Sequence, residues 1–370
     1  MRVAYLCADR GVPVFGSKGA SVHVRELVRA LASLGHEVFV VAARLGDEPP
    51  RDLTVPVVEL PPESSRSRAL LRDFAPDVVY ERHALFSTAG PELAAGLSVP
   101  LIKEVNAPLS DEQAAHRRLV FAEKARAIER ETLLAADQVI AVSSPLRRWL
   151  LSLGVREERI TVLANGVDVR RFEAASRERD RIRAELGLER RPVIGFVGTL
   201  KPWHDLATLA EAFVLLRRRR RDAKLLVVGD GPGRATLEGL DGAVLTGSVA
   251  HEQVPALLAA IDVAVAPCVA GPASYFSPLK LFEYLAAGRP VVAAPTGDVP
   301  HCIRPAVGGL LYEPADAAEL AAAVERLVDD PAGAAALGRR GREHVRAYHT
   351  WRANAEAVVR LTGEIQAVAA

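Results

Sequence analysis

The sequence predicts two α/β domains in tandem, each a doubly wound sheet of parallel strands. Three observations lead there. The chain has 370 residues, more than one hydrophobic core ordinarily serves. It opens on an apolar run, a glycine-bearing loop, an amphipathic helical pattern and a second apolar run, the order that begins a doubly wound sheet. The same alternation starts again after a charged stretch that ends at Arg191.

Each element follows from local pattern. Arg2–Cys7 reads as the first strand, and the loop Gly11–Gly19 follows it. Ser21 opens a helix whose Val24, Leu27, Val28, Leu31 and Leu34 recur on one face. Gly35 stops it, and Val38–Ala42 is the second strand. Short apolar runs predict strands at Val55–Leu60, Val78–Tyr80, Leu101–Val105, Gln138–Val142 and Ile160–Leu163. A long charged helix is expected over Asp111–Ala135. Asn165-Gly166 is a turn signal, so the first domain is placed at residues 1–166 and the second at 167–350. In the second, Val193–Val197 and Lys224–Val228 read as strands around a helix at Leu206–Arg217. Val244–Thr246, Val263–Ala266, Val291–Ala294 and Gly309–Tyr312 continue the sheet. The last helix, within 351–370, is expected to cross back to the first domain.

Composition narrows the function classes. Net charge is +1, which gives no global field for nucleic acid. No apolar run approaches the roughly 20 residues of a membrane span, and no leader segment precedes the first strand. The three cysteines, Cys7, Cys268 and Cys302, lack metal-ligand spacing. Together these fit a cytoplasmic protein with at most peripheral contact at the inner membrane face. Of the 47 basic residues only 6 are lysines. Four of those, Lys18, Lys103, Lys201 and Lys280, are expected in loops or helix starts singled out on other grounds.

The segment Ser277–Pro295 carries the most chemistry. Ser277 suits a helix N-cap and Pro278 the first helical position, with Leu279 next. Gly288 and Pro290 end the helix ahead of an apolar strand. Its N-terminus offers free N–H groups to a diphosphate. Lys280 and Glu283 share one face, an ammonium for phosphate and a carboxylate for sugar hydroxyls. In the first domain, Gly16-Ser17-Lys18-Gly19 is a glycine-bearing turn before a helix, suited to close approach by an anion.

These motifs converge with others in order along the chain: Ala136-Asp137-Gln138-Val139-Ile140-Ala141-Val142-Ser143, Val162-Leu163-Ala164-Asn165-Gly166-Val167-Asp168, Phe196-Val197-Gly198 and Val228-Gly229-Asp230-Gly231-Pro232. With them the chain resembles a retaining glycosyltransferase of family 4 with the GT-B fold, two Rossmann-like domains facing a cleft. The resemblance implies a nucleotide-sugar donor, UDP-linked first and GDP-linked second, held mainly by the second domain without a metal ion; no Asp-x-Asp motif occurs in the chain. It implies ribose contacts from Glu283, the second glutamate of the family's Glu-x7-Glu motif. The first glutamate falls on Tyr275, and Ser277 and Lys280 resemble a Ser-Pro-x-Lys variant. The family's basic pair falls on Thr199 and His204, so Lys201 and His204 are expected to supply the positive character. Gly198 and Gly229 belong to donor loops, and Val249 lies where the base is read through the backbone. The family's acceptor-side histidine falls on Asn106, with Glu104 two residues earlier; His83 is a further candidate. The reaction implied is transfer of a sugar to a hydroxyl of a small natural product, a polysaccharide or a lipid-linked sugar. Two rivals remain, a sugar-nucleotide epimerase of the same fold and a donor-binding protein without turnover. A nicotinamide enzyme is rejected, because the loop after the first strand lacks Gly-x-Gly-x-x-Gly and the second strand leads to Arg44.

Overall fold

The computed structural model describes residues 1–50, 52–116, 118–269, 275, 277, 279–303 and 307–369. They form two compact units. The first holds residues 1–165, Tyr275, Ser277 and the C-terminal helix Trp351–Ala369; the second holds 166–269 and 279–350.

The first unit is built on strands β1 (Arg2–Cys7), β2 (Glu37–Ala42), β3 (Val57–Glu59), β4 (Val78–Arg82), β5 (Leu101–Val105), β6 (Gln138–Ala141) and β7 (Ile160–Val162). Their order is β3-β2-β1-β4-β5-β6-β7, all parallel. The central strands are sealed on both faces: Val3, Ala4, Tyr5 and Leu6 are all 0% exposed. That is why they read as unbroken apolar runs rather than alternating ones. Tyr5 sits beside Tyr80 in register, and their rings stack with centroids 5.2 Å apart.

The second unit repeats the plan with β8 (Val193–Val197), β9 (Lys224–Val228), β10 (Ala243–Leu245), β11 (Val263–Ala266), β12 (Val291–Ala293) and β13 (Gly309–Leu311). The order is β10-β9-β8-β11-β12-β13, again parallel. Each sheet therefore reverses its winding once, between β1 and β4 and between β8 and β11. At such a point the loops beyond the strand C-termini diverge and leave a crevice where ligands bind.

Arginine closes helix ends in the second unit. Arg183 donates to the carbonyl of Ala260 at 2.9 Å and Arg179 to that of Ala259 at 2.6 Å, at the end of the helix Val254–Ala259. Arg342 donates to Ala286 and Ala287 at 3.0 and 2.9 Å, at the end of Leu279–Ala286. A planar fork of five donors holds two carbonyls in a fixed geometry, which the rotating ammonium of lysine does not impose.

Three expectations are corrected. The charged helix is two helices, Leu109–His116 and Ala122–Leu134, because Phe121 adopts a left-handed backbone at φ 56°. The first helix begins at Gly19 rather than Ser21, which lies buried inside it. Lys103 is not on a loop: it is fully buried in β5, 2.6 Å from Glu81 on β4.

Candidate functional site

In the second unit the candidate residues gather at the winding reversal beyond β8. Gly198, at φ 141°, and Gly229, at φ 132°, pass so close that a Cβ on Gly229 would lie 2.2 Å from the Gly198 carbonyl. Only glycine fits there. Neither offers a free N–H, since Gly198 donates to Val228 and Gly229 to Gly247 at 2.9 and 3.0 Å. Their contribution is close approach, not hydrogen bonding to a ligand. The Thr199 carbonyl accepts from the Lys201 N–H and from Nδ1 of His204, at 2.8 and 2.7 Å.

That last bond fixes the histidine. A carbonyl only accepts, so Nδ1 carries the hydrogen and Nε2 presents a lone pair. Nε2 lies 2.8 Å from Nζ of Lys280, which donates to it. Burial, reinforced by the Lys280 charge, pushes the His204 pKa down to about 3. His204 is therefore neutral, and the expectation that it supplies positive charge is corrected. Lys280 also lies over the Phe196 ring, 4.6 Å from its centroid. Burial brings the Lys280 pKa down to about 7. Lys201 stands over Trp203, 5.9 Å from the ring centroid.

One turn beyond Lys280, Glu283 is buried and accepts from Nε2 of His251 at 2.8 Å. Val249 is half-buried two residues before that histidine. Leu279 begins the helix that carries Lys280 and Glu283. Pro278 lies outside the described residues. The Ser277 hydroxyl accepts the backbone N–H of Asn165 at 2.9 Å, and its carbonyl accepts from Asn165 Nδ2 at 2.9 Å. Tyr275 is moved from its expected place. It is 8% exposed within the first unit's core, its carbonyl accepts from Ser143 at 2.6 Å, and burial with the nearby Glu112 charge pushes its hydroxyl pKa up.

In the first unit a polar network fills the sheet's carboxyl end. Glu104, at the end of β5, is 2% exposed. It accepts from Nε2 of His23 at 2.7 Å, Nδ2 of Asn106 at 2.6 Å, Arg82 at 3.2 Å and the Tyr80 hydroxyl. Burial alone would raise the Glu104 pKa; His23, Arg82 and the Tyr80 hydroxyl outweigh it and hold it at about 2. Both oxygens are occupied, so Glu104 is placed to orient its neighbours rather than to receive a substrate. Asn106 is half-buried, and its amide oxygen has no partner among the described residues. His83 is sealed: its Nε2 meets Glu129 at 3.0 Å, and burial lowers its pKa. Its Nδ1 has no hydrogen-bond partner among the described residues.

The glycine-bearing turn is tightly folded. Gly16 donates to the Pro13 carbonyl at 3.1 Å, and buried Arg25 holds the carbonyls of Val14 and Gly16, each at 2.7 Å. Lys18 is exposed and donates to the Gly11 carbonyl at 3.1 Å. Gly19 opens the helix, whose first turn holds no acidic residue.

Sequence reasoning passed over His23, His251 and Asn165. His23 bridges Glu104 to Oδ1 of Asn165, 2.7 Å on each side, and meets Trp351 edge-on at 4.9 Å. Its partners lie 81 and 142 residues away, and nothing local announces them.

Residues 17–171 match the family model Glycosyltransferase Family 4, and residues 191–330 match Glycosyl transferases group 1. A GDP-mannose-dependent alpha-mannosyltransferase of Mycolicibacterium smegmatis is 30% identical over 332 residues, covering 85% of this chain and 84% of that protein. A 2-deoxystreptamine glucosyltransferase of Streptomyces kanamyceticus is 36% identical over 231 residues, 59% of this chain, which spans only 58% of that protein. The crystal structure of Anabaena HepE in complex with UDP superposes with a TM-score of 0.75 at 18% identity, covering 98% of this chain and all of that one. Two parallel sheets of matching plan, two family models in tandem and a relative aligned over most of both lengths agree, and the chain belongs to glycosyltransferase family 4, with the GT-B fold.

Proposed function

We propose that this chain transfers a sugar from a nucleoside-diphosphate sugar to an acceptor hydroxyl, with retention of the anomeric configuration. The observation that carries the reading is Lys280. Its ammonium is half-buried and leans on a neutral histidine and an aromatic face, with a pKa brought down by burial to about 7. A diphosphate arriving there would restore the full positive charge and gain a charge-assisted bond. Lys201 would add to the stabilisation of the leaving diphosphate. Glu283 would receive the ribose hydroxyls, and the backbone near Val249 the base. Asn106 would meet the acceptor hydroxyl through its free amide oxygen, with Glu104 and His23 fixing its orientation.

The relatives' names support transfer over epimerisation or binding without turnover. UDP accompanies the Anabaena structure and GDP-mannose the mycobacterial enzyme, which supports a UDP- or GDP-sugar as the donor. The acceptor is a small natural product, a polysaccharide or a lipid-linked sugar. Three free cysteines suit a reducing compartment. Among the described residues no helix is long and apolar enough to cross a membrane.

Thermal stabilisation by UDP and GDP tests the reading. A nucleotide at a hundred times its dissociation constant adds about 2.7 kcal/mol of apparent stability. One of the two is expected to stabilise the wild type and to lose most of that effect in Glu283→Ala. No stabilisation by either would refute the donor site.

A further inference from the structure

We propose that His251 is a positioning residue for ribose recognition, holding the Glu283 carboxylate in one orientation for the nucleotide's vicinal hydroxyls. The inference rests on the donor-site reading above and extends it to a residue outside the helix that carries Glu283. The geometry comes from two separate elements. Glu283 projects from the helix Leu279–Ala286, whereas His251 opens a short 3-10 turn, His251–Gln253, after β10. The two meet at 2.8 Å, Nε2 to Oε1, with side chains 14% and 9% exposed.

Three features make this more than a surface pair. First, His251 is held from its own side: the Gln253 side-chain oxygen accepts the Ala250 N–H at 3.2 Å, which fixes the turn. Second, the approach to that turn is pinned to the donor loops, because Gly229 donates to the Gly247 carbonyl at 3.0 Å. Third, His251 is the one side chain bonded to Glu283 among the described residues, and it engages Oε1 alone. Oε2 is left for a ligand. A carboxylate has about four lone-pair positions, so Oε1 retains one beside the histidine bond. A carboxylate fixed in this way can accept from two adjacent hydroxyls without first losing rotational freedom, and that is where preorganisation adds affinity.

A role in positioning separates from a role in folding by what the ligand carries. Binding of UDP and GDP, and of their 2′,3′-dideoxy counterparts, is measured by titration calorimetry on the full chain. The wild type is expected to bind the ribonucleotide at least tenfold more tightly than the dideoxy form. His251→Ala is expected to weaken the ribonucleotide about tenfold, the worth of one hydrogen bond to a charged acceptor, and to leave the dideoxy form unchanged. His251→Gln, which keeps an N–H donor, is expected to recover most of the loss. Equal weakening of both forms in His251→Ala, or no weakening of either, overturns the inference while leaving the donor site in place. A wild type that binds neither nucleotide, or binds ribo and dideoxy forms alike, overturns the donor-site reading and this inference with it.

Discussion

Replacing Glu104 by glutamine removes the one negative charge in the network of Tyr80, Arg82, His23 and Asn106. The structure sets the size of the effect. A carboxyl whose pKa falls from 4.5 to about 2 on folding contributes about 3 kcal/mol of stability when ionised. The folded value is depressed, so this stability is fully present above about pH 4.5 and is lost as pH falls through about 2. Between pH 6 and pH 3 the wild type should lose about 2 kcal/mol through this group alone. Glu104→Gln has nothing to protonate there, so it should start lower and fall less. Urea unfolding followed by tryptophan fluorescence measures the difference. In a Trp203→Phe background the remaining Trp149 and Trp351 both report the first unit. Other acids of the unit, Glu129 among them, act alike in both proteins and cancel. Stability curves that fall in parallel from pH 6 to pH 3 would refute the assignment of the low pKa to this network.

The free-state pKa of Lys280, about 7, predicts that nucleotide affinity is full below pH 7 and falls up to tenfold per pH unit above it, because the diphosphate selects the ammonium. Lys280→Met should flatten that profile and weaken binding at pH 6 by at least tenfold, read by the same titrations. Gly229→Ala should destabilise the second unit by more than about 2 kcal/mol, since its Cβ meets the Gly198 carbonyl at 2.2 Å in a backbone that side chains avoid. Loss of nucleotide binding should accompany it, and an unchanged melting temperature would count against the close approach of the two loops.

Strands were the most legible part of this chain. Leu101–Val105, Val193–Val197, Lys224–Val228 and Val263–Ala266 agree end for end with pattern, because strands buried on both faces are predominantly apolar, Lys103 and Glu104 being the buried exceptions. The break at Phe121 was not legible, since a bulky residue gives no notice of positive φ. On the site, Lys280 and Glu283 declared themselves by sharing a helix face, and a period of 3.6 is a local property. The state of His204 was hidden because burial with the Lys280 ammonium decides its charge and the Thr199 carbonyl its tautomer. Tyr275 was misplaced because motif alignment fixes order along the chain and not the unit in which a side chain is buried. His23 and His251 share a cause: each meets its carboxylate only after the chain has folded.

The arginine forks at the ends of Val254–Ala259 and Leu279–Ala286 imply that acid should unfold the two units in sequence. A guanidinium bonded to a carbonyl loses nothing as pH falls, and Arg183 and Arg342 make such bonds to Ala260, Ala286 and Ala287; the carboxylate that Arg183 also pairs with, Asp262, is a third exposed rather than sealed. The first unit instead centres its buried polar groups on the carboxylates of Glu81, Glu104 and Glu129. Protonation of Glu104 leaves Arg82 buried without its counter-charge. The first unit should therefore open while the second still holds its fold. An acid pulse would then yield a molecule whose second unit keeps its fold after the first has opened, a separation made by pH rather than by truncation.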